Sequence, residues 1–390
     1  MAATTPRISV SGDVLRWARQ QRGLTPEVAA KRLQISEAKL ADFESGSSSP
    51  TIAQLRKMSE KYRRPLIVLL LDEPPTAFTP LRDFRSLPDA DRDVYSPELS
   101  DAIKRATQQQ EIYLELSEDL DRQVSAPALP ADEGTIEEVA TELRAGLGVT
   151  AALQRTWSDP KKALAEWRSR IESLGILVLE TSDVSMKEMR GFSLRERLPQ
   201  VVVLNGHDSE RGKVFTLLHE LAHLTLRQTG VCDLHQRSRS SDDVEIRCNA
   251  IAGETLLPVA ELRQNQVVQS HPSNTEWSDD ELGRIASIAG GASREAILRR
   301  LLQMGLASRE EYEARRDEYL EAYEEWRRAR SRKSTGGPPP YRVQLRDRGR
   351  PFMRSVFEAY ADGYVNLSEV VDLAGVRTKH LDTLQREAFK

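Results

Sequence analysis

Cysteine is nearly absent: the 390 residues contain only Cys232 and Cys248, too few for a disulfide framework and in keeping with a reducing compartment. Long apolar runs are missing as well. The longest, LIVLLL at 66–71, falls far short of the about 20 residues that cross a bilayer, and MAATTPRISV lacks the apolar stretch of a secretory signal. A cytoplasmic location without membrane contact is expected. Neither charge sign dominates, since 56 Lys and Arg against 60 Asp and Glu leave a net charge of −4. That balance argues against a uniformly basic nucleic-acid coat but leaves room for one basic module. What is present is 39% hydrophobic and 30% charged residues, enough to build folded cores in about two to four domains.

Residues 11–72 read as an all-helical unit. Val14, Leu15 and Ala18 recur at helical spacing, Gly23 ends that helix, and Thr25 stands at the N-cap of the next, whose stripe is Val28, Ala29 and Leu33. A break at QIS precedes a third helix from about Ser36 to Phe43, and GSSSP leads to a fourth at Thr51. Two short helices joined by a tight turn make a helix-turn-helix. Residues 11–71 hold eleven Lys and Arg against six acids, a surplus suited to phosphates, with Arg32, Ser36 and Lys39 as the groups offered to DNA. The recognition helix itself carries Glu37, Asp42 and Glu44 against Lys39, with no Arg, Asn or Gln placed to read a base edge. Protein docking or dimerisation, and hence a homodimer, therefore stands beside DNA binding.

Residues 73–134 form a connector with a long helix, SPELSDAIKRATQQQEIYLEL, and a Pro/Ala-rich end, VSAPALPADEG. From 135 to 333 helix and strand mix. Helices near 136–146 and 160–173 precede the strands GILVLE, GFSL and VVVLN, then two apolar helices separated by a polar loop, and a helical segment at 277–306. A small sheet against helices, an α+β core, is expected. After STGGPPP, residues 341–390 are helical, either a cap on the preceding domain or a second helix-turn-helix offering Arg377, Lys379 and His380 to phosphates. The fold class is thus multidomain and mostly α.

The chemistry lies in FTLLHELAHLTL, 215–226. Positions i and i+4 share a helix face, so His219 and His223 present two imidazoles to one ion, and Glu220 beside them is placed to act as general base on a metal-activated water. This is the HExxH arrangement of zinc metallopeptidases, although two histidines in an ordinary buried helix give the same five letters. A metzincin would continue with Gly at 226 and His at 229, where Leu226 and Thr229 stand. A gluzincin-like, thermolysin-type arrangement takes a Glu from a second helix, and Glu245 lies 22 residues after His223. Glu254, Asp242, Asp243 and His235 remain competing third ligands. Asn249, one turn after Glu245, is placed to steady a ligand. Cys232 and His235 lack the second pair a structural site needs, and Cys248 reads as core. A His2Glu set also accepts manganese or iron.

Two resemblances follow from these residues. LTPEVAAKRLQISEAKLADFESGSSSPTIAQL, with Ala29, Ile35-Ser36, Phe43-Glu44-Ser45-Gly46 and Pro50, resembles the lambda-repressor-like domain of XRE regulators. VVVLNGHDSERGKVFTLLHELAHLTL followed by EIRCNAIAGETLLP resembles the ImmA/IrrE metallopeptidase family. Its matches are Asn205, Phe215-Thr216, His219-Glu220-Leu221, His223-Leu224, Glu245, Asn249 and Leu256-Leu257-Pro258, while Ala222, Cys248 and Ile251-Ala252 depart from the family's Gly, Ala and Phe-Ala. The resemblance implies zinc held by His219, His223 and Glu245, Glu220 as base, and a cytoplasmic protease that inactivates a partner repressor or antitoxin, with operator DNA as a further partner. Two rivals share the sequence: a regulator that cuts nothing, and the proteolytic toxin of a toxin–antitoxin pair. Gly191, Phe192, Ser193 and Leu194 are expected to form an edge strand to which a substrate peptide adds.

Overall fold

The computed structural model describes residues 10–22, 24–62, 64, 66–73, 96–157, 159–226, 230–231, 239–273, 275–333 and 337–390. The DFRSLPD part of the connector and the Cys232–His235 pair lie outside them. The chain divides between Asp101 and Ala102 into two compact units.

The first unit holds α1 (Gly12–Gln21), α2 (Pro26–Leu33), α3 (Glu37–Glu44), α4 (Ile52–Tyr62) and a 3-10 turn at Leu66–Leu70. Thr25 and Ser36 cap α2 and α3 by accepting from Val28 N and Lys39 N, which fixes the angle at which α3 leaves the turn. Leu15, Leu33, Leu40, Phe43, Leu55 and Tyr62 fill the core. Of LIVLLL, the longest apolar run, Leu69 is fully buried there in the 3-10 turn, while Leu70 and Leu71 are exposed.

The long helix α5 (Pro97–Asp119) crosses the division, and its Leu116 joins the core of the C-terminal helices. Then come α6 (Ile136–Gly146), α7 (Ala151–Arg155) and α8 (Pro160–Ser173), followed by β1 (Leu177–Thr181), β2 (Gly191–Leu194) and β3 (Val201–Asn205). The strand order is β1-β3-β2-β4, with β4 only Gly230–Val231. β1 runs parallel to β3, with Leu177 opposite Val201. β2 is antiparallel to both neighbours. β1 and β3 are buried along their whole length, which explains why they read as continuous Val/Leu runs rather than alternating ones.

Against this sheet lies α9 (Glu210–Thr225), flanked by α8 and by α10 (Arg239–Leu256). Residues 216–225 of α9 are all buried. A helix apolar all round is one that is covered all round, so its polar side chains need a purpose. Trp157 and Trp167 meet edge to face with centroids 5.5 Å apart, and Trp167 donates to Gly290 O at 3.0 Å. Beyond α10 follow α11 (Val259–Gln264), α12 (Gln266–Ser270), α13 (Asp279–Ile288), α14 (Arg294–Gln303) and α15 (Arg309–Lys333).

The C-terminal helices are α16 (Pro340–Arg348), α17 (Arg350–Ala361), α18 (Leu367–Ala374) and α19 (Leu381–Ala388), around Phe352, Met353, Val356 and Leu384. α16 packs on β1. There Glu180 is the centre of a buried network: Lys213 Nζ lies 2.6 Å away, Arg168 3.3 Å and Arg346 of α16 3.6 Å. The tail is thereby fastened to the sheet, as a cap would be.

Candidate metal centre

Three side chains converge where α9 meets α10. His219 Nε2 and His223 Nε2 are 3.1 Å apart; Glu245 Oε2 lies 3.3 Å from the first and Oε1 3.2 Å from the second. They are the group of donors, among the described residues, that could hold a metal ion. Ligand atoms about 2.0–2.2 Å from a tetrahedral divalent ion stand about 3.3–3.6 Å from one another. The observed spacings are within about 0.3 Å of that, so the donor set fits such an ion in both chemistry and size. His219 and His223 are buried, while Glu245 is half-buried, so an ion held here would face an opening on the Glu245 side.

The three groups also interact with one another. Burial works to raise the Glu245 carboxyl, but hydrogen bonds with His219 and His223 outweigh it and hold it at about 2. Burial likewise works to lower His223, yet its hydrogen bonds with Cys248 and Glu245 raise it to about 10. Cys248 itself is pushed up by burial. Cys248 is fully buried in the apolar core, as expected, and its thiol also interacts with His223.

Glu220 is fully buried next to His219. Its carboxylate lies against β2, where a Cβ built on Gly191 would come within 3.1 Å of Glu220 Oε1 and 2.5 Å of Thr216 Cγ2. Only glycine leaves that space. Asn205 shapes the approach to Gly191: at the end of β3 its amide donates to Val184 O and Met189 O at 3.0 and 2.8 Å, pinning the loop that enters β2. Neither role is legible from spacing; the nearest signal is that both positions end or begin a strand.

The other anticipated site residues fall elsewhere. Glu254 pairs with Arg300 and accepts from Val259 N at 3.1 Å, which commits it to the far end of α10. Asp243 is exposed, and the His235 position and the Asp242 side chain lie outside the described residues. Asn249 lines a cavity between α9 and α10, and among the described residues it makes no hydrogen bond to Glu245. The free edge expected at Gly191, Phe192, Ser193 and Leu194 is not there: β3 occupies one side of β2, and β4 pairs with Phe192 and Ser193 on the other. The two residues Gly230–Val231, beyond the end of α9, pair with the sheet, which the turn residues around them did not reveal.

In the first unit, Arg32 is 2.8 Å from Glu98, Ser36 is spent capping α3, and Lys39 donates to Ser48 at 2.9 Å. Glu44, counted above as an acid on the recognition helix, is buried and bonded to Arg19 at 2.6 Å. The helix surface is therefore less acidic than its sequence, and the cation surplus is smaller than its count, because Arg22 and Arg32 are engaged with Asp101 and Glu98, acids from beyond the counted stretch.

The second unit thus holds a cluster of donors that could take a metal ion, and the first is a helix-turn-helix. Residues 171–302 match the peptidase family model described as the IrrE N-terminal-like domain, and residues 12–68 match that of a helix-turn-helix domain. The chain accordingly combines a helix-turn-helix with a peptidase domain of the ImmA/IrrE kind. The first match holds His219, Glu220, His223 and Glu245 together. Neither a curated protein nor a solved structure matches the chain. No helix among the described residues is long and apolar enough to cross a membrane.

Proposed function

We propose that this chain is a zinc-dependent endopeptidase that cuts a partner protein, a repressor or antitoxin, in the cytoplasm. The observation that carries the reading is the convergence of His219, His223 and Glu245 beside a buried Glu220 whose carboxylate is backed by Gly191. His219 and His223 on one face of α9, with Glu245 from α10, would hold the ion. Bound there, zinc supplies the charge that acidifies a water and polarises a peptide carbonyl. Glu220 would take the proton from the attacking water and pass it to the leaving amine, so that one C–N bond breaks as one C–O bond forms. The apolar walls of α9 and the sheet keep competing water from the base. Manganese or iron satisfies the same donors.

The helix-turn-helix unit would bring the enzyme to its target, by operator DNA or by docking on a protein of similar fold. Arg32, Ser36 and Lys39 stay candidates for DNA contact, each with an internal partner to release or share. The test compares wild type with Glu220→Gln in cells containing a neighbouring XRE-type repressor or antitoxin. A defined cleavage product should be present with wild type and reduced about 10²–10⁴-fold in the variant at unchanged metal content. Wild type yielding no product under any inducing condition would instead support the regulator that cuts nothing, and a growth defect on solo expression would support the toxin.

A further inference from the structure

A cavity of about 470 Å³ opens one turn from the metal donors, between α9 and α10, with α14 and α15 closing its far end. Its walls carry five arginines, Arg190, Arg211, Arg299, Arg300 and Arg316, against Asp208 and Glu295. Most of these cations have partners. Arg190 is 3.6 Å from Asp208, Arg299 is 2.9 Å from Glu295, and Arg300 pairs with Glu254. Arg211 differs: its guanidinium donates to Ala292 O, and no carboxylate lies within ion-pair distance of it among the described residues. Burial and the nearby charge of Arg294 both press on it. A half-buried arginine facing a cavity, with a like charge beside it and no carboxylate partner, is suited to receive an anion.

Position makes the anion part of a substrate. Arg211 stands eight residues before His219 on α9, about 12 Å along the axis, and the cavity floor between them is Gly212, Phe215 and Thr216. An extended chain rises about 3.3 Å per residue. A peptide whose scissile carbonyl lies at the donors therefore brings a side chain two to four residues away level with Arg211. Asn249 and Gly253 of α10 also line the cavity.

Resting on the peptidase reading above, we infer that the cavity is a substrate subsite in which Arg211 receives an acidic side chain, Asp or Glu, two to four residues from the cleaved bond. The chain's net charge of −4 gives acidic peptides no general attraction, so preference for them must come from such a local site.

The test measures binding without cleavage. Full-length Glu220→Gln chain, zinc-loaded, is offered pools of end-blocked nonapeptides, each fixed at one position as Asp, Glu, Asn or Gln and random elsewhere, and retained peptide is quantified. Acidic pools should be retained about five- to tenfold over their amide counterparts at one or two positions, as a partly exposed charge-assisted pair allows. Adding Arg211→Gln should abolish that ratio, Arg211→Lys should keep most of it, and Arg309→Gln, a change at an exposed pair on α15, should leave it intact. Melting curves check that each variant is folded. Equal retention of acidic and amide pools, no retention of any pool, or a ratio that survives Arg211→Gln overturns the inference. Failure of the peptidase reading looks different: acidic pools are retained through Arg211, yet the wild-type zinc-loaded chain cuts none of them.

Discussion

At Glu220 a carboxylate is carried to the middle of a fully covered helix, where burial alone disfavours its charge. Gly191 bounds it on one side, because its missing side chain is the space the carboxylate and Thr216 occupy. Gly191 is therefore a positioning residue. Gly191→Ala should reduce turnover about tenfold or more, the scale on which a misplaced catalytic group is felt, while zinc content stays at the wild-type level. Thr216→Ser removes the methyl that the new Cβ would strike at 2.5 Å, so the double variant should recover much of the loss. Zinc lost together with activity in Gly191→Ala would mean that the strand supports the metal site rather than the base. Cys248 belongs to this scale too, because its thiol interacts with His223 and, among the described residues, it is the cysteine beside the cluster.

Among the elements, α13 shows how much a helix terminus can carry. Ser278 and Glu281 form a capping box, and His271, stacked on Trp277 with centroids 3.7 Å apart, bonds to Glu281 Oε1 at 2.9 Å. That hydrogen bond, with help from Ser278, holds Glu281 at about 2, below its ordinary 4.5. Burial works to lower His271, but the bonds to Glu281 and Thr275 O raise it above its ordinary 6.5. Glu281 thus contributes stability that is present above pH 4.5 and lost as pH falls toward 2. His271 contributes stability that is full below pH 6.5 and lost as pH rises through its elevated folded value. Thermal melts of His271→Gln should lack the decline that wild type shows above pH 6.5; an identical slope in both would remove this pair from the account.

At the same scale lies the boundary of what the sequence discloses. Caps and apolar periodicity are local, so the cap at Thr25, the start of the third helix near Ser36 and the strands at 177–181 and 201–205 could be read from neighbours in the chain. The histidine pair was legible because one helix turn brings i and i+4 together, and Glu245 because it opens the next apolar run, 22 residues on. Pairings across long separations were not. Arg19 with Glu44 and Arg22 with Asp101 are ion pairs that no spacing rule anticipates, and they changed the electrostatic reading of the first unit. The two-residue β4 carries too few residues for a periodic pattern, yet it removes the edge on which strand addition at 191–194 depended.

For the molecule as a whole, two compact units share one chain, a helix-turn-helix ahead of a peptidase domain of the ImmA/IrrE kind with a helical tail fastened to its sheet. Everything proposed for the second unit depends on His219, His223 and Glu245 sharing one ion. Metal analysis combined with X-ray absorption at the zinc edge on the full-length protein tests this directly. The account requires one zinc per chain, two imidazole nitrogens and carboxylate or water oxygen at about 2.0–2.2 Å, and loss of that ion in Glu245→Ala. A sulfur shell at about 2.3 Å, which would draft Cys248 into the site, or zinc well below one per chain, would contradict it.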